Sequence, residues 1–352
     1  MEEILKILFF NALYQLGHKY VDKKIIYNLS CFSELTVLEP SNWYEEALEN
    51  VDYIQTAVKE KQNFGRIGSW ICSIRNYKKA AELVRSKKID IVVFGEYELI
   101  TMPVAVNLFD KKTNIIMINH NNIDQLEKSA IKRSIFKKYK KSVYHVVLEP
   151  FIKDRVIDKY GLLEKRVFMW PHPIERENVS YNNHTIFDCI GISNSNDEKI
   201  IEDIYINELK HETIKKNGLH VILRTKSLDV FDNGFLEIIK GRIAQETYEK
   251  YFTRAKSILI PFPQSFQYRV SATVLDGLIN KKIIIASDIP LMQYYEKKYP
   301  SLCNVYREGR VLDAINEIDK YKINMESYKR FMDDHSDFII RMKMEENINS
   351  LM

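Results

Sequence analysis

The chain has 352 residues, 45% of them hydrophobic and 28% charged, which excludes a disordered, collagen-like or coiled-coil protein. At ~150 residues per domain, the length calls for about two domains, each able to bury its own core. The charge surplus of +4 is too small to argue for nucleic acid, and no apolar run approaches the roughly 18 residues that span a bilayer.

The start, Met1-Glu2-Glu3, is acidic where a secretory signal is basic. Cys31, Cys72, Cys189 and Cys303 lie far apart with no CxxC pair. Reduced thiols in or near the core of a cytoplasmic protein are expected, and no structural zinc.

Short β-branched runs alternate with helical patterns along the chain. In the first half the expected strands are Leu5–Phe10, Leu35–Leu38, Ile89–Phe94, Ile115–Ile118, Tyr144–Leu148 and Val167–Trp170. Each is mostly apolar on both faces, as a parallel strand covered by helices should be. Helical stretches lie between them at Trp70–Ser86, Asp124–Lys141 and Ile152–Tyr160. A doubly wound parallel sheet over residues 1–173 follows.

Pro171-His172-Pro173-Ile174 and the polar stretch Glu175–Thr185 form a seam. The alternation then restarts. Strand Ile186–Ile192 is followed by helix Asp197–Lys216, then by strands Leu219–Leu223 and Leu236–Ile239. Helix Gln245–Arg254, strand Ser257–Pro261, helix Ser271–Asn280 and strand Ile283–Ala286 complete a second α/β domain over residues 174–322. Glu326–Asn349 reads as a closing helix, interrupted near Asp333-Asp334, within a C-terminal segment (323–352) that packs back on the first domain. The fold class is α/β, with two Rossmann-like, doubly wound parallel-sheet domains and a cleft at the carboxyl ends of both sheets.

Three stretches of the second domain carry candidate chemistry. Gly191-Ile192-Ser193-Asn194 leads from a strand into a helix that Ser195-x-x-Glu198 would close as a capping box. Its free N–H groups, with Ser193 and Asn194, suit a phosphate or sugar oxygen, or make only a well-capped turn. Arg224 and Lys226 follow a strand, where two cations neutralise a diphosphate or simply decorate the surface. Tyr268-Arg269-Val270-Ser271-Ala272-Thr273 opens a helix whose N–H groups point at a ligand, and Asp276 within it suits ribose hydroxyls.

The stretch from Tyr268 through Lys281–Asp288 resembles the donor-site signature of retaining GT-B glycosyltransferases of the group-one, family-four-like class. That signature runs Glu, Gly-rich turn, Glu, then "GKPVIASD". Asp276 takes the second acidic position, and Lys281–Asp288 takes the final segment with Lys282 and Ile283 in place of its "KP". Gly241 and Arg242, after Ile239-Lys240, resemble the turn that cradles the nucleotide base; Pro171-His172-Pro173-Ile174 resembles the "PHPI" hinge. The likeness covers roughly residues 85–320. It departs at Tyr268, where the family has its first Glu, and at Arg269-Val270-Ser271, where it has glycines. These departures bring the chain closest to exopolysaccharide and adhesin-glycan glucosyltransferases.

The resemblance implies GT-B architecture and hexose transfer from a nucleotide sugar, with UDP as the nucleotide, to a glycan, glycolipid or glycoprotein acceptor with retention of configuration. It implies no cofactor and no metal: Arg224, Lys226, Arg269 and the Ser271 helix start would stabilise the leaving diphosphate. His120, after strand Ile115–Ile118, would face the transferred sugar as a catalytic residue; as a plain residue it is a turn histidine. Glu96, and Gly17 in the Leu16-Gly17-His18 loop, would meet the acceptor.

Lys128–Lys141 holds seven cations and no acid. As one helix it would gather Ile131, Ile135, Phe136 and Tyr139 on one side and rest its basic side on an anionic inner leaflet, or be a solvated face. No aromatic platform accompanies it, so nucleic acid is not expected. Self-association is compatible with the sequence and not specified by it. Two rival readings stand beside the transferase: a non-catalytic GT-B homologue that partners a transferase, favoured by Tyr268, and a GT-B nucleotide-sugar epimerase.

Overall fold

The computed structural model describes residues 4–14, 16–40, 42–45, 47–56, 65–174 and 185–352. The acidic start and residues 175–184 of the seam lie outside the described residues. The chain forms two compact units. The first takes the chain up to Pro173 together with His335–Met352, and the second takes Ile174–Asp334.

The first unit is built on strands β1 (Lys6–Phe10), β2 (Glu34–Pro40), β3 (Val51–Thr56), β4 (Ile91–Phe94), β5 (Asn114–Ile118), β6 (Tyr144–Val147) and β7 (Val167–Met169). They form one sheet in the order β3-β2-β1-β4-β5-β6-β7. Every pairing is parallel, so each strand returns through a crossover and every carboxyl end reaches one edge. The crossovers carry α1 (Lys19–Ser30), α2 (Arg66–Lys87), α3 (Met102–Leu108), α4 (Asn122–Lys128), α5 (Ala130–Tyr139) and α6 (Pro150–Tyr160). Phe9, Phe10, Phe94 and Tyr77 pack at the centre, all fully buried.

The second unit has β8 (Phe187–Gly191), β9 (Val221–Thr225), β10 (Phe231–Asp232), β11 (Leu236–Lys240), β12 (Ala255–Ile260), β13 (Ile283–Ser287) and β14 (Cys303–Tyr306). Their order is β10-β11-β9-β8-β12-β13-β14, parallel except for the β10–β11 hairpin. Its helices are α7 (Glu198–His211), α8 (Thr213–Lys216), α9 (Gln245–Arg254), α10 (Ala272–Ile279), α11 (Pro290–Lys298), α12 (Val311–Asn316) and α13 (Met325–Asp334). Ile201, Ile204, Val311 and Ile315 seal α7 and α12 onto the core. The last helix, α14 (Asp337–Asn349), lies in the first unit, where Asn347 Oδ1 accepts from Trp170 Nε1 at 3.2 Å.

Several expected elements take a different form. The single helix over residues 124–141 is two, because Ser129 leaves the helical conformation and its hydroxyl accepts from Lys132 N. Arg133 then caps the end of α4, donating to Leu126 O at 2.7 Å and Glu127 O at 3.0 Å. Lys140 donates to Tyr160 O, so the basic run is partly spent inside the fold. Phe136 and Tyr139 are buried while Ile131 is 71% exposed; the apolar side of α5 is covered only towards its C-terminal end. Ser195 does not cap α7 either. Asp197 does, accepting from Lys199 N at 3.0 Å. Cys31 is a surface thiol, unlike the three buried ones. Among the described residues no helix is long and apolar enough to cross a membrane.

The turn after β4 fixes the centre of the first sheet. Gly95 N donates to Phe10 O at 3.0 Å and Ala12 N to Glu96 O at 2.8 Å. A Cβ at Gly95 would strike Asn11 Oδ1 and come within 2.5 Å of Phe9 Cζ, whereas one at Gly17 would meet nothing. Gly95→Ala should therefore cost about 2–3 kcal/mol in urea unfolding and Gly17→Ala less than about 1. Equal costs would show that the turn has room to relax.

Candidate functional site

Two sets of polar residues gather at carboxyl strand ends, one in each unit. In the second unit the tips of β8, β9 and β11 are tied together. Asn196 Nδ2 donates to Gly191 O at 2.7 Å and to Arg224 O at 3.0 Å. Arg224 Nε donates to Gly241 O, and Gly241 N donates to Thr225 O at 2.9 Å. Gly241 needs its glycine, at φ +85. Arg224 is 6% exposed. Burial pulls its pKa down; Glu198 opposes that and the neighbouring Arg242 adds to it.

Glu198 is the anchor of this corner. Its carboxylate accepts from Thr225 Oγ1 at 2.6 Å, Ser227 Oγ at 2.7 Å and the backbone N–H groups of Lys226 and Ser227. The expected reach-back of Glu198 to Ser195 is replaced by this clasp across strands. Lys226 is exposed, with its backbone held and its side chain outward in solvent; Asn194 and Arg242 are exposed as well. Ser193 is buried, its hydroxyl accepting from Ser195 N at 3.2 Å.

Beyond β12, next to β8 in the sheet, Ser271 caps α10 by accepting from Val274 N. Tyr268, Arg269 and Val270 precede it, half-buried. The Arg269 guanidinium lies 3.8 Å from the Phe266 ring centroid, which orients it. Ala272 is exposed at the first helical position and Thr273 half-buried at the second. Asp276, one turn along, contacts the Tyr248 hydroxyl together with Thr273, so a ribose would compete with that tyrosine. A separate cavity of about 740 Å³ opens between α7 and the loops after β12, β13 and β14, and none of the sequence-derived site residues lines it.

In the first unit, β1, β4 and β5 are neighbours, so the residues after them meet. His18 Nδ1 lies 3.6 Å from Glu96 Oε2. The His18 and His120 rings stack with centroids 4.3 Å apart at 27°. His120 is 9% exposed. Burial, then the charges of His18 and His172, hold its pKa well below the ordinary imidazole value. It is a neutral hydrogen-bonding group near pH 7, not a cation. Gly17 is exposed beside this cluster.

Sequence reasoning missed His18 as a site residue, and missed Asp22 altogether. Asp22 is fully buried, accepting from Asn11 Nδ2 at 2.6 Å and Tyr44 OH at 3.4 Å. Burial pushes its carboxyl up to about 7; the nearby Glu96 adds to this, while His18 and the Asn11 and Tyr44 bonds restrain it. The only sequence signal was its spacing of four residues from His18. Among the described residues no three His, Cys, Asp or Glu side chains are grouped to hold a metal ion.

No family model matches the chain, and no curated protein matches it. Solved structures do. The apo form of the lipopolysaccharide outer core galactosyltransferase WaaB superposes with a TM-score of 0.62 at 13% identity, covering 99% of this chain and 100% of that one. A glycosyltransferase from Rickettsia africae ESF-5 gives 0.62 at 13%, with 99% of each chain covered. LpCGTa, solved in complex with UDP, gives 0.61 at 7%, again with 99% of each. The fold is GT-B. At these identities the likeness establishes architecture, and the chemistry must come from the residues.

The Asp22 carboxyl also has a thermodynamic consequence. Its folded pKa, about 7, lies above the unfolded value of about 3.9, so the folded state binds the proton more tightly. That stabilisation is complete below about pH 4 and is lost as pH rises through about 7. Asp22→Asn keeps the Asn11 contact and removes the titration. In urea unfolding the variant should show a flatter stability profile between about pH 4 and 7, and should exceed the wild type by about 4 kcal/mol at pH 8. A wild-type profile in the variant would place the titration elsewhere.

Proposed function

We propose that this protein is a cytoplasmic glycosyltransferase moving a hexose from a UDP-sugar to a glycan, glycolipid or glycoprotein acceptor, with retention of anomeric configuration and without a metal ion. The observation that carries the reading is Arg224. A guanidinium buried at a parallel-sheet carboxyl edge, with a second guanidinium beside it, is stabilised when an anion arrives. The nearby turn at Gly241 and the capped start of α10 suit a nucleoside diphosphate. A structure of the same fold solved with UDP supports the choice of nucleotide.

In this reading the acceptor hydroxyl approaches the anomeric carbon on the face from which the diphosphate leaves, which retains configuration, and forms its bond to that carbon as the bond from the carbon to the diphosphate oxygen breaks. The electron pair leaves with the diphosphate, onto Arg224, Arg269 and the α10 N–H groups. The hydroxyl proton passes to the Glu96–His18 pair, and neutral His120 hydrogen-bonds the sugar. Tyr268, in place of a carboxylate, supports a second reading in which the protein partners a transferase without catalysing transfer.

Calorimetric titration with UDP, GDP, ADP and CMP in EDTA separates the two. Micromolar binding of UDP is expected, with Arg224→Ala lowering turnover about 10²-fold. Binding of none of the four by folded protein favours the partner reading, and wild-type turnover in Arg224→Ala removes Arg224 from the chemistry.

A further inference from the structure

We propose that Asp22 is the positioning residue of the His18–Glu96 pair: a second, buried carboxyl one helical turn from His18 whose negative charge keeps on the His18 imidazole the proton that His18 accepts from the acceptor hydroxyl. This rests on the transferase reading given above. The geometry is that of a cluster assembled from four chain segments. His18 sits at the N-cap of α1 and Asp22 in its first turn, the spacing at which side chains on one helix meet. Glu96 reaches His18 Nδ1 from the turn after β4. Asn11, after β1, and Tyr44, after β2, fix the Asp22 carboxyl through the hydrogen bonds described above.

The surroundings make this carboxyl expensive. Asp22 faces His18 and Glu96, and the Tyr44 hydroxyl that contacts it faces Tyr14 and Glu39 as well. His18 in turn faces His120 and His172, both of which burial keeps neutral near pH 7. Lys19, next in sequence, is paired with Glu45 at 2.6 Å. Two carboxyls thus converge on one imidazole, with no other cation in the cluster among the described groups. A buried acid that opposes folding at neutral pH is the signature of a group kept for chemistry rather than stability. When His18 takes a proton, Asp22 and Glu96 both stabilise the imidazolium, so the proton is held until the acceptor bond has formed.

The test reads His18 directly, without substrate. Imidazole Cε1–H resonances of the full-length protein, with His18 assigned through His18→Gln, are followed by NMR from about pH 5 to 9. In the wild type the His18 titration should be broad, because it is coupled to Asp22. In Asp22→Asn it should narrow and its midpoint should fall by about half a unit to one unit. An unchanged midpoint and shape in a folded Asp22→Asn protein overturns the proposal. The companion readout is the pH profile of transfer. Asp22→Asn should lower kcat about 10-fold with the donor KM unchanged; a uniform loss at every pH together with a raised donor KM would mark a merely structural role. If no sugar is transferred by the wild type yet the His18 titration moves, the coupling stands and the transferase reading falls.

Discussion

Parallel strand pairing governs this molecule. A parallel ladder cannot be closed by a tight turn, so each strand must be followed by a crossover that lies on a face of the sheet. Both faces are thereby covered, the strands become apolar throughout, and the polar residues of the chain are driven to helix surfaces and strand ends. In each unit the strand order reverses around the first strand, β1 or β8. The loops leaving the two central neighbours diverge there, which opens space where side chains of distant sequence position converge. His18 and Glu96 meet across that point with His120 joining from β5, while Asn196, Arg224 and Gly241 meet because β8, β9 and β11 lie side by side in the second sheet.

Polar groups placed at such an edge are held at a cost to stability. Arg224 keeps a cation out of water with a second cation nearby, and Asp22 keeps a carboxyl where burial disfavours its charge. Each is embedded in contacts that fix its position more firmly than its own energy would. Arg224 is held by the Gly241 turn, and Asp22 by Asn11 and Tyr44. Glu198 shows the opposite use of a carboxylate. Its many donors hold its pKa below the ordinary value despite burial, and it stitches the β9 tip to the start of α7. The two acids differ in supply of donors, which decides whether a buried carboxylate steadies the fold or strains it.

The central strands were legible because strands buried on both faces read as unbroken apolar runs. Of the edge strands, β7 was legible as Val167–Trp170, whereas β3, buried only at Val51 and Thr56, β10, two residues long, and β14, four residues long with Asn304 inside it, were not. The break between α4 and α5 turns on the single hydroxyl of Ser129 inside a run of cations, a local competition that composition hides. The loop residues His120 and Glu96 could be picked from their place after a strand, and Arg224, expected just past its strand, lies inside the end of β9. Asp22 could not, because it stands beside Lys23 and Lys24 and looks like helix surface charge. Its burial comes from the loops carrying Tyr14 and Tyr44, which the local pattern does not specify.

The stretch that departs from the signature separates what the backbone demands from what the chemistry demands. Lys281, at the place of the signature glycine, is left-handed at φ +51, just past the end of α10. Its N–H donates to Leu278 O and the next to Gly277 O, the helix-ending pattern for which glycine is usual. The conformation survives without the glycine, at a cost of roughly 1 kcal/mol. Lys282 is buried, donating to Ala255 O at 2.6 Å, with burial lowering its pKa to about 8; it supports β12 rather than any ligand. Ser271 likewise supplies a helix cap where the signature has glycine. Tyr268 is different in kind, since nothing in the backbone calls for a carboxylate there. The residues around α10 therefore keep a capped helix start and its left-handed end without the signature glycines, while the backbone leaves the side chain at 268 unconstrained.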